Sequence, residues 1–342
     1  MRTFHATETD AHDPAFRLTF GRVQANAERP ERARLLLAAA ARAGLSAEAP
    51  PEHDRSALEA VHTARFLDYL ETAWDAWHQL PNAAEEIIPN TFPRLGTQRY
   101  PDSIVGRAGW HAGDVSAPIG PGSWRATRRA ADCALAAADT VIAGARSSYA
   151  LCRPPGHHTS AEVAAGHCLL NVSAIAAARM RTAHERVAIL DIDTHHGNGT
   201  QDIFYERGDV LFVSVHTETD NYYPFFTGYA DETGHGDGDG ATLNLPLPQS
   251  TEDEAWCRAI ATGLERIAAF APGALILSLG LDSHRDDPLK GMRVGDAGFT
   301  RAAGLIADLG LPTVLVQEGG YLSDSLGAAL SAFLDGWLPA AG

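Results

Sequence analysis

The chain lacks the features that mark several large protein classes. Four cysteines occur in 342 residues, and Cys133, Cys152, Cys168 and Cys257 stand far apart with no CxxC pair. That spacing argues against a paired-cysteine motif and for reduced thiols in a cytoplasmic protein. Basic residues are scarce: 27 Lys and Arg face 43 Asp and Glu, giving a formal charge of −16. A general nucleic-acid binder needs a basic face for the phosphate backbone, so no nucleic-acid partner is expected. The same balance suits a cationic or neutral substrate. No apolar run approaches membrane-spanning length. The first residues, MRTFHATETD, lack a basic-then-apolar signal pattern. Neither membrane association nor export is expected.

With 45% hydrophobic residues, the chain can build one large α/β core or two modest ones. Residues 1–6 predict a short first strand, and 10–27, with Pro14 and Gly21, a loop. Helices are expected from Glu28 to Gly44, with Pro30 at the start, and over 56–79. Residues 81–122 hold six prolines and read as a long loop, a length that is often functional. Its aromatics Phe92, Tyr100 and Trp110 fit plain packing equally well. After an Ala-rich helix at 123–144, strands and helices alternate. Strands are predicted at 147–152, 187–192, 210–216, 242–246, 274–281 and 312–317. Helices are predicted at 171–184, 199–206, 252–270, 297–309 and 323–337. Such alternation means a mostly parallel sheet with helices on both faces, in one domain over 1–342.

The most informative stretch is 187–200, VAILDIDTHHGNGT. A β-branched apolar strand runs into Asp191, Asp193, His195 and His196. Alternation puts Asp191 and Asp193 on one side. Burying unpaired carboxylates is costly, and a cation is a common remedy. In open parallel sheets, ligands collect at the carboxyl ends of strands. The bland alternative is a polar turn whose side chains only cap backbone groups. Three other strand ends repeat the pattern: RPPGHHTS with His157 and His158, LILSLGLD ending at Asp282, and EGGY ending at Tyr321. Each is weak alone, but together they describe one design on one sheet edge. Asp193, His195 and Asp282 would leave a fourth metal position open, as in catalytic zinc sites. His157 and His158 could move protons, with Asp191 and Asn198 fixing their tautomers. The Tyr321 phenol could donate to an oxyanion.

The stretches LCRPPGHH (151–158), GHCLLN (166–171), DIDTHHGNGTQDIFYERGDV (191–210), SLGLDSHRDDP (278–288) and EGGY (318–321) resemble the histone deacetylase superfamily, and within it the bacterial acetylpolyamine amidohydrolases. The resemblance runs from about residue 28 to the C-terminus. It implies the arginase/deacetylase fold around an eight-stranded parallel sheet. It implies zinc on Asp193, His195 and Asp282, His158 as general base then acid, and Tyr321 at the transition state. Fe(II) or Co(II) would also suit two carboxylates and one imidazole. A structural potassium ion is implied on Asp191, Asp193, His195, Ser214 and Val215. The implied partner is a small-molecule or lysine-containing acylated amine, and the 81–122 segment implies a homodimer.

The departures concern the substrate. His167, after Gly166, stands where the family usually has Phe or Tyr in the acyl-chain tunnel; Tyr223 would form the opposite wall. Leu289 falls where deacetylases acting on lysine have an apolar residue and a polyamine-selective relative an acidic gatekeeper, and Val105 falls where polyamine-type members carry a Glu. Glu218 and Asp220 could attract a cation instead or be merely solvated, and His284 is expected at the rim. Two other functions are compatible with the fold. An arginase-like ureohydrolase would need a second metal, but Gly197 and Gly280 occupy the positions of its extra carboxylates. A catalytically silent acyl-ligand binder would be expected to have lost a ligand or the tyrosine.

Overall fold

VAILD at Val187–Asp191, ALILSL at Ala274–Leu279 and TVLVQ at Thr313–Gln317 are buried at every residue. Strands covered on both faces are apolar along their length, as at the centre of a parallel sheet. The computed structural model describes residues 1–19, 21–93 and 98–340. Its strands are β1 (Arg2–Phe4), β2 (Phe16–Thr19), β3 (Arg22–Ala25), β4 (Ala47–Glu48), β5 (Ser147–Ala150), β6 (Val187–Asp191), β7 (Val210–Thr217), β8 (Thr242–Leu247), β9 (Ala274–Leu279) and β10 (Thr313–Gln317). Eight of them form one sheet in the order β4-β1-β5-β10-β9-β6-β7-β8, and every neighbouring pair is parallel. The expected α/β class and eight-stranded parallel sheet are therefore present.

The helices are α1 (Pro30–Arg42), α2 (Ser56–Glu59), α3 (Ala64–Trp77), α4 (Ile104–Trp110), α5 (Ser123–Ile142), α6 (Val172–Met180), α7 (Asn198–Phe204), α8 (Asp253–Phe270), α9 (Asp296–Ala307) and α10 (Leu326–Ala340). Strand alternation divides the core in two. Ile189, Ile276 and Val314 pack with Leu67, Ala130 and Ile175 from α3, α5 and α6. Leu190, Leu277 and Leu315 face the other way, against Leu36, Ile260, Phe299 and Phe333 from α1, α8, α9 and α10. No helix among the described residues is long and apolar enough to cross a membrane.

Three expectations need correction. Residues 10–27 are not only loop: β2 and β3 form an antiparallel hairpin with Phe16 opposite Ala25 and Thr19 opposite Arg22. The short FRLT and RVQA strands alternate too briefly to stand out from composition. The helix expected over 56–79 is split, and the Thr63 hydroxyl accepts from the Phe66 amide to cap α3. The 81–122 segment contains α4, and Tyr100 and Trp110 are tied down through Tyr100 Oη to His111 Nε2 (2.9 Å) and Trp110 Nε1 to Glu162 Oε1 (2.9 Å). Residues 94–97 of that segment lie outside the described residues.

Asp132 of α5 holds the chain ahead of α2 in place. Its Oδ1 accepts from the His53 amide (3.0 Å) and Arg128 Nη1 (2.7 Å), and its Oδ2 from Arg129 Nη1 (2.6 Å). Burial alone would raise its pKa, but His53 and the two arginines outweigh it and carry it below 3.8. The hydrogen bond from Asp132 chiefly raises His53 above 6.5. A depressed carboxylate stabilises above its ordinary value and loses that on acidification; a raised imidazole stabilises below its ordinary value and loses that on alkalinisation. Asp132→Asn should cost about 3 kcal/mol. Urea midpoints measured against pH should show the gap from wild type widest between about 4 and 6.5; a pH-independent gap would contradict the pairing.

Candidate functional site

The four adjacent central strands, β5, β10, β9 and β6, each deliver polar side chains from their carboxyl ends. Asp191 closes β6, and its Oδ1 accepts from the Asp193 amide (3.1 Å). Asp191 Oδ2 meets His157 Nδ1 at 2.9 Å, while His157 Nε2 lies 3.8 Å from Asp193 Oδ1. The two carboxylates thus address one imidazole from its two nitrogens, as strand alternation implied. Asp193 Oδ2 accepts from the Gly319 amide (2.8 Å), and Asp282 Oδ1 from the Thr194 amide (2.9 Å). Backbone from neighbouring strand ends therefore fixes the rotamer of each acid.

Asp193, His195 and Asp282 come together as a group that could hold a metal ion, with their ligand atoms within 4.8 Å of one another. His195 Nδ1 is 3.0 Å from Asp193 Oδ1 and 3.0 Å from Asp282 Oδ2. Burial works against charge on this imidazole, yet hydrogen bonds to Asp193 and Asp282 overcome it and lift its pKa to about 9. Asp282 rises to about 6, through burial and then the Asp193 charge. Two fully buried acids thus draw a proton onto the nearest base, and a divalent cation on the same donors would supply that positive charge instead. Three protein donors leave coordination open, as a catalytic metal requires. Close backbone approach makes this possible: a Cβ on Gly319 would sit 2.4 Å from oxygens of both Asp193 and Asp282, and one on Gly280 2.3 Å from the Asp193 Cα.

The histidine pair is split electrostatically. Its ring centroids are 4.0 Å apart. His157 resists the effect of burial because Asp193 and Asp191 raise it, to about 10. His158 is pushed well below 6.5 by burial and then by the charges of His157 and His195, and its Nδ1 lies 2.7 Å from Asn198 Oδ1. One ring is held cationic beside one held neutral.

Above these groups opens a cavity of about 370 Å³, lined by His158, Gly166, His167, His195, Tyr223, Leu289 and Tyr321 among others. All the expected wall residues are there. Gly166 has φ +55°, and a Cβ on it would lie 2.2 Å from the His158 ring. The Tyr223 ring stands edge-on to His158 at 4.9 Å. The Tyr321 hydroxyl has no hydrogen-bond partner among the described residues, and the Arg32 guanidinium lies 4.7 Å from its ring centre. Burial keeps this phenol well above 10 and so protonated.

The remaining residues singled out in the sequence lie away from the cavity lining. Val105 lies on α4 and Glu218 and Asp220 are exposed; none lines the cavity. His284 is not at the rim: it is buried, with Nε2 3.3 Å from Asp296 and its ring stacked on Phe299. Ser214 pairs with Asp191 in register on β7, but its hydroxyl meets His216 Nδ1 at 2.9 Å.

Several site residues escaped the sequence reading. Tyr222 stacks on His195 at 5.0 Å. Asp114 Oδ2 accepts from Tyr223 Oη (2.6 Å) and the Gly166 amide (3.1 Å). Glu318 Oε2 accepts from the Gly156 (2.6 Å) and His157 (3.1 Å) amides. Asp287 Oδ2 accepts from the Tyr321 amide at 2.8 Å. Arg32 donates to the carbonyls of Gly320 (2.5 Å) and Glu318 (2.7 Å). Of these, Glu318 was legible, as one more carboxyl at the end of an apolar strand.

A model of the histone deacetylase domain matches residues 26–337. The chain belongs to the histone deacetylase family. Within that family it is 42% identical over 338 residues to the acetylpolyamine amidohydrolase of Burkholderia pseudomallei (strain 1710b), which covers 98% of each chain. It is 39% identical over 346 residues to acetylpolyamine amidohydrolase 1 of Pseudomonas aeruginosa, covering 100% of both. A crystal structure of acetylpolyamine aminohydrolase from Burkholderia pseudomallei superposes with a TM-score of 0.96, at 42% identity and 98% coverage of both chains. The family expected from the five stretches is the one found.

Gly319→Ala should leave the far-ultraviolet dichroism intact and reduce bound divalent metal well below one ion per chain, because the added methyl falls on both carboxylates. Elemental analysis of the purified variant checks this; full metal occupancy would mean that the donors lie elsewhere.

Proposed function

We propose that the protein is a metal-dependent amidohydrolase that removes an acetyl or similar acyl group from a small amine. The observation that carries this reading is the convergence of Asp193, His195 and Asp282 below the His157–His158 pair, at the floor of a cavity that also presents the Tyr321 hydroxyl. The relatives' names, acetylpolyamine amidohydrolase, supply acetylated polyamines as the reference substrate class.

Asp193, His195 and Asp282 would hold the ion, with zinc the first candidate and Fe(II) or Co(II) compatible with the same donors. When bound, such an ion lowers the pKa of water and polarises an acyl carbonyl. The chain's own groups do the rest. His158 is neutral because it is buried among cations, so it can take a proton where His157 cannot. With Nδ1 turned to Asn198, the other nitrogen of His158 is its basic atom. That nitrogen takes the proton of the attacking water and later delivers it to the departing amine. Tyr321 remains protonated and donates to the oxygen that gains charge as the carbonyl becomes tetrahedral. The Tyr223 and Tyr222 rings, packed on His158 and His195, exclude bulk water from the floor. A potassium ion beside Asp191 and Ser214 remains part of the proposal on the strength of the family resemblance alone.

A binuclear ureohydrolase is disfavoured. Side chains at Gly197 and Gly280 would collide with Asp191 Oδ2 at 2.4 Å and with the Asp193 Cα at 2.3 Å, so carboxylates for a second ion have no room there.

His158→Ala should abolish measurable hydrolysis of N-acetylated amines while metal content stays at one ion per chain; wild-type rates would remove its assigned role. Tyr321→Phe should lower kcat by about 10²–10³ with KM little changed, and an unaltered kcat would exclude the donor. Chelation should abolish turnover and one equivalent of zinc should restore it; a requirement for two equivalents would favour the ureohydrolase.

A further inference from the structure

The walls above the acids hold Arg17, Leu18 and Thr19 of β2, together with Ser116, Asn221 and the residues described above, and no Asp or Glu among the described residues that line them. Among the described residues that line these walls, Arg17 is the one with a fixed charge. Its Nε is buried with no hydrogen-bond partner, and its guanidinium makes no ion pair with any described residue. The neighbouring His167 imidazole is lowered to about 3, chiefly by burial; the Glu28 charge opposes that and the Arg17 charge adds to it. His167 lines the same cavity and is buried. A guanidinium that lines a cavity without a carboxylate partner is suited to an anionic group on the ligand, which it can bind with charge-assisted hydrogen bonds.

Asp114 and Asp287, the carboxyls hydrogen-bonded to the wall residues, do not supply a partner for Arg17. Asp114 uses Oδ2 on Tyr223 and Gly166 and Oδ1 on the Ser116 amide (2.7 Å). Asp287 uses its two oxygens on the Leu289 and Tyr321 amides (2.8 Å each). The formal charge of −16 is spread over the whole chain, and surface charges farther than about 10 Å are largely screened at 0.1 M salt. A contact charge in the cavity wall therefore decides which tails are accepted.

We propose that this cavity selects acylated amines whose far end carries an anion, with Arg17 as the receptor and His167 as a second polar contact. The inference rests on the amidohydrolase reading and narrows it. A polyamine tail would instead bring an ammonium group to a wall whose only fixed charge, among the described residues, is positive.

The test compares four N-acetyl compounds of similar length: N-acetyl-γ-aminobutyrate, N-acetylhomotaurine, N-butylacetamide and N-acetylputrescine. Binding is measured by calorimetry on the metal-loaded His158→Ala protein, so that the probes are not consumed, and again after adding Arg17→Glu. The carboxylate and the sulfonate should both bind at least tenfold more tightly than the ammonium tail, and Arg17→Glu should reverse that order. Tightest binding of N-acetylputrescine, or an order that Arg17→Glu leaves unchanged, would overturn the proposal. Preference for the carboxylate without the sulfonate, a poor metal ligand, would also overturn it by placing the anion on the metal. Turnover by the wild-type enzyme is scored separately: failure to hydrolyse all four would count against the amidohydrolase reading, while the tail preference is judged on binding.

Discussion

Asp193 is buried, and almost everything at the site is arranged around that fact. One oxygen faces His195 and His157, and the other takes the Gly319 amide. Asp191, Asp282, Asp287 and Glu318 lie in the same buried region. Charges out of water cost several kcal/mol each unless countered. The protein counters them with His157, with backbone amides and with a three-donor pocket suited to a cation. Their proton affinities follow from the same crowding. Asp287 is carried up to about 8 by burial and by Asp282, and Glu318 to about 7, where burial outweighs the pull of His157.

This crowding sets the sequence at a distance. Glycines at 280 and 319 let chain pass within touching distance of the acids, where any side chain would displace them. Arg32 on α1 links two carbonyls of the 318–320 turn to Glu28 through a 2.8 Å ion pair, and Glu28 passes the contact to Arg153 at 2.8 Å. The turn that carries Tyr321 is therefore anchored to the first helix, almost three hundred residues away in the chain.

The strands and the candidate metal donors could be read directly because they are chemically improbable. VAILD, ALILSL and TVLVQ have no reason to end in acids unless something needs them. Asn198 and Asp191 could be read for the same reason, lying on the motif they support. Tyr222, Asp114 and Arg17 could not. Tyr222 and Arg17 reach the cavity, and Asp114 braces its wall, from loops and a hairpin whose position is set by tertiary packing; an Asp in HAGDVS or an Arg in FRLT looks like ordinary surface. His284 misled for the opposite reason. It follows a motif acid by two residues, yet the chain turns there and drops it onto Phe299.

The β2–β3 hairpin pairs only with itself among the described residues and stands apart from the eight-stranded sheet. Changes in it need not disturb the strand ends that assemble the acids and imidazoles. Descendants of this chain could therefore exchange one clientele for another by editing a few residues near the N-terminus, with the hydrolytic engine inherited intact.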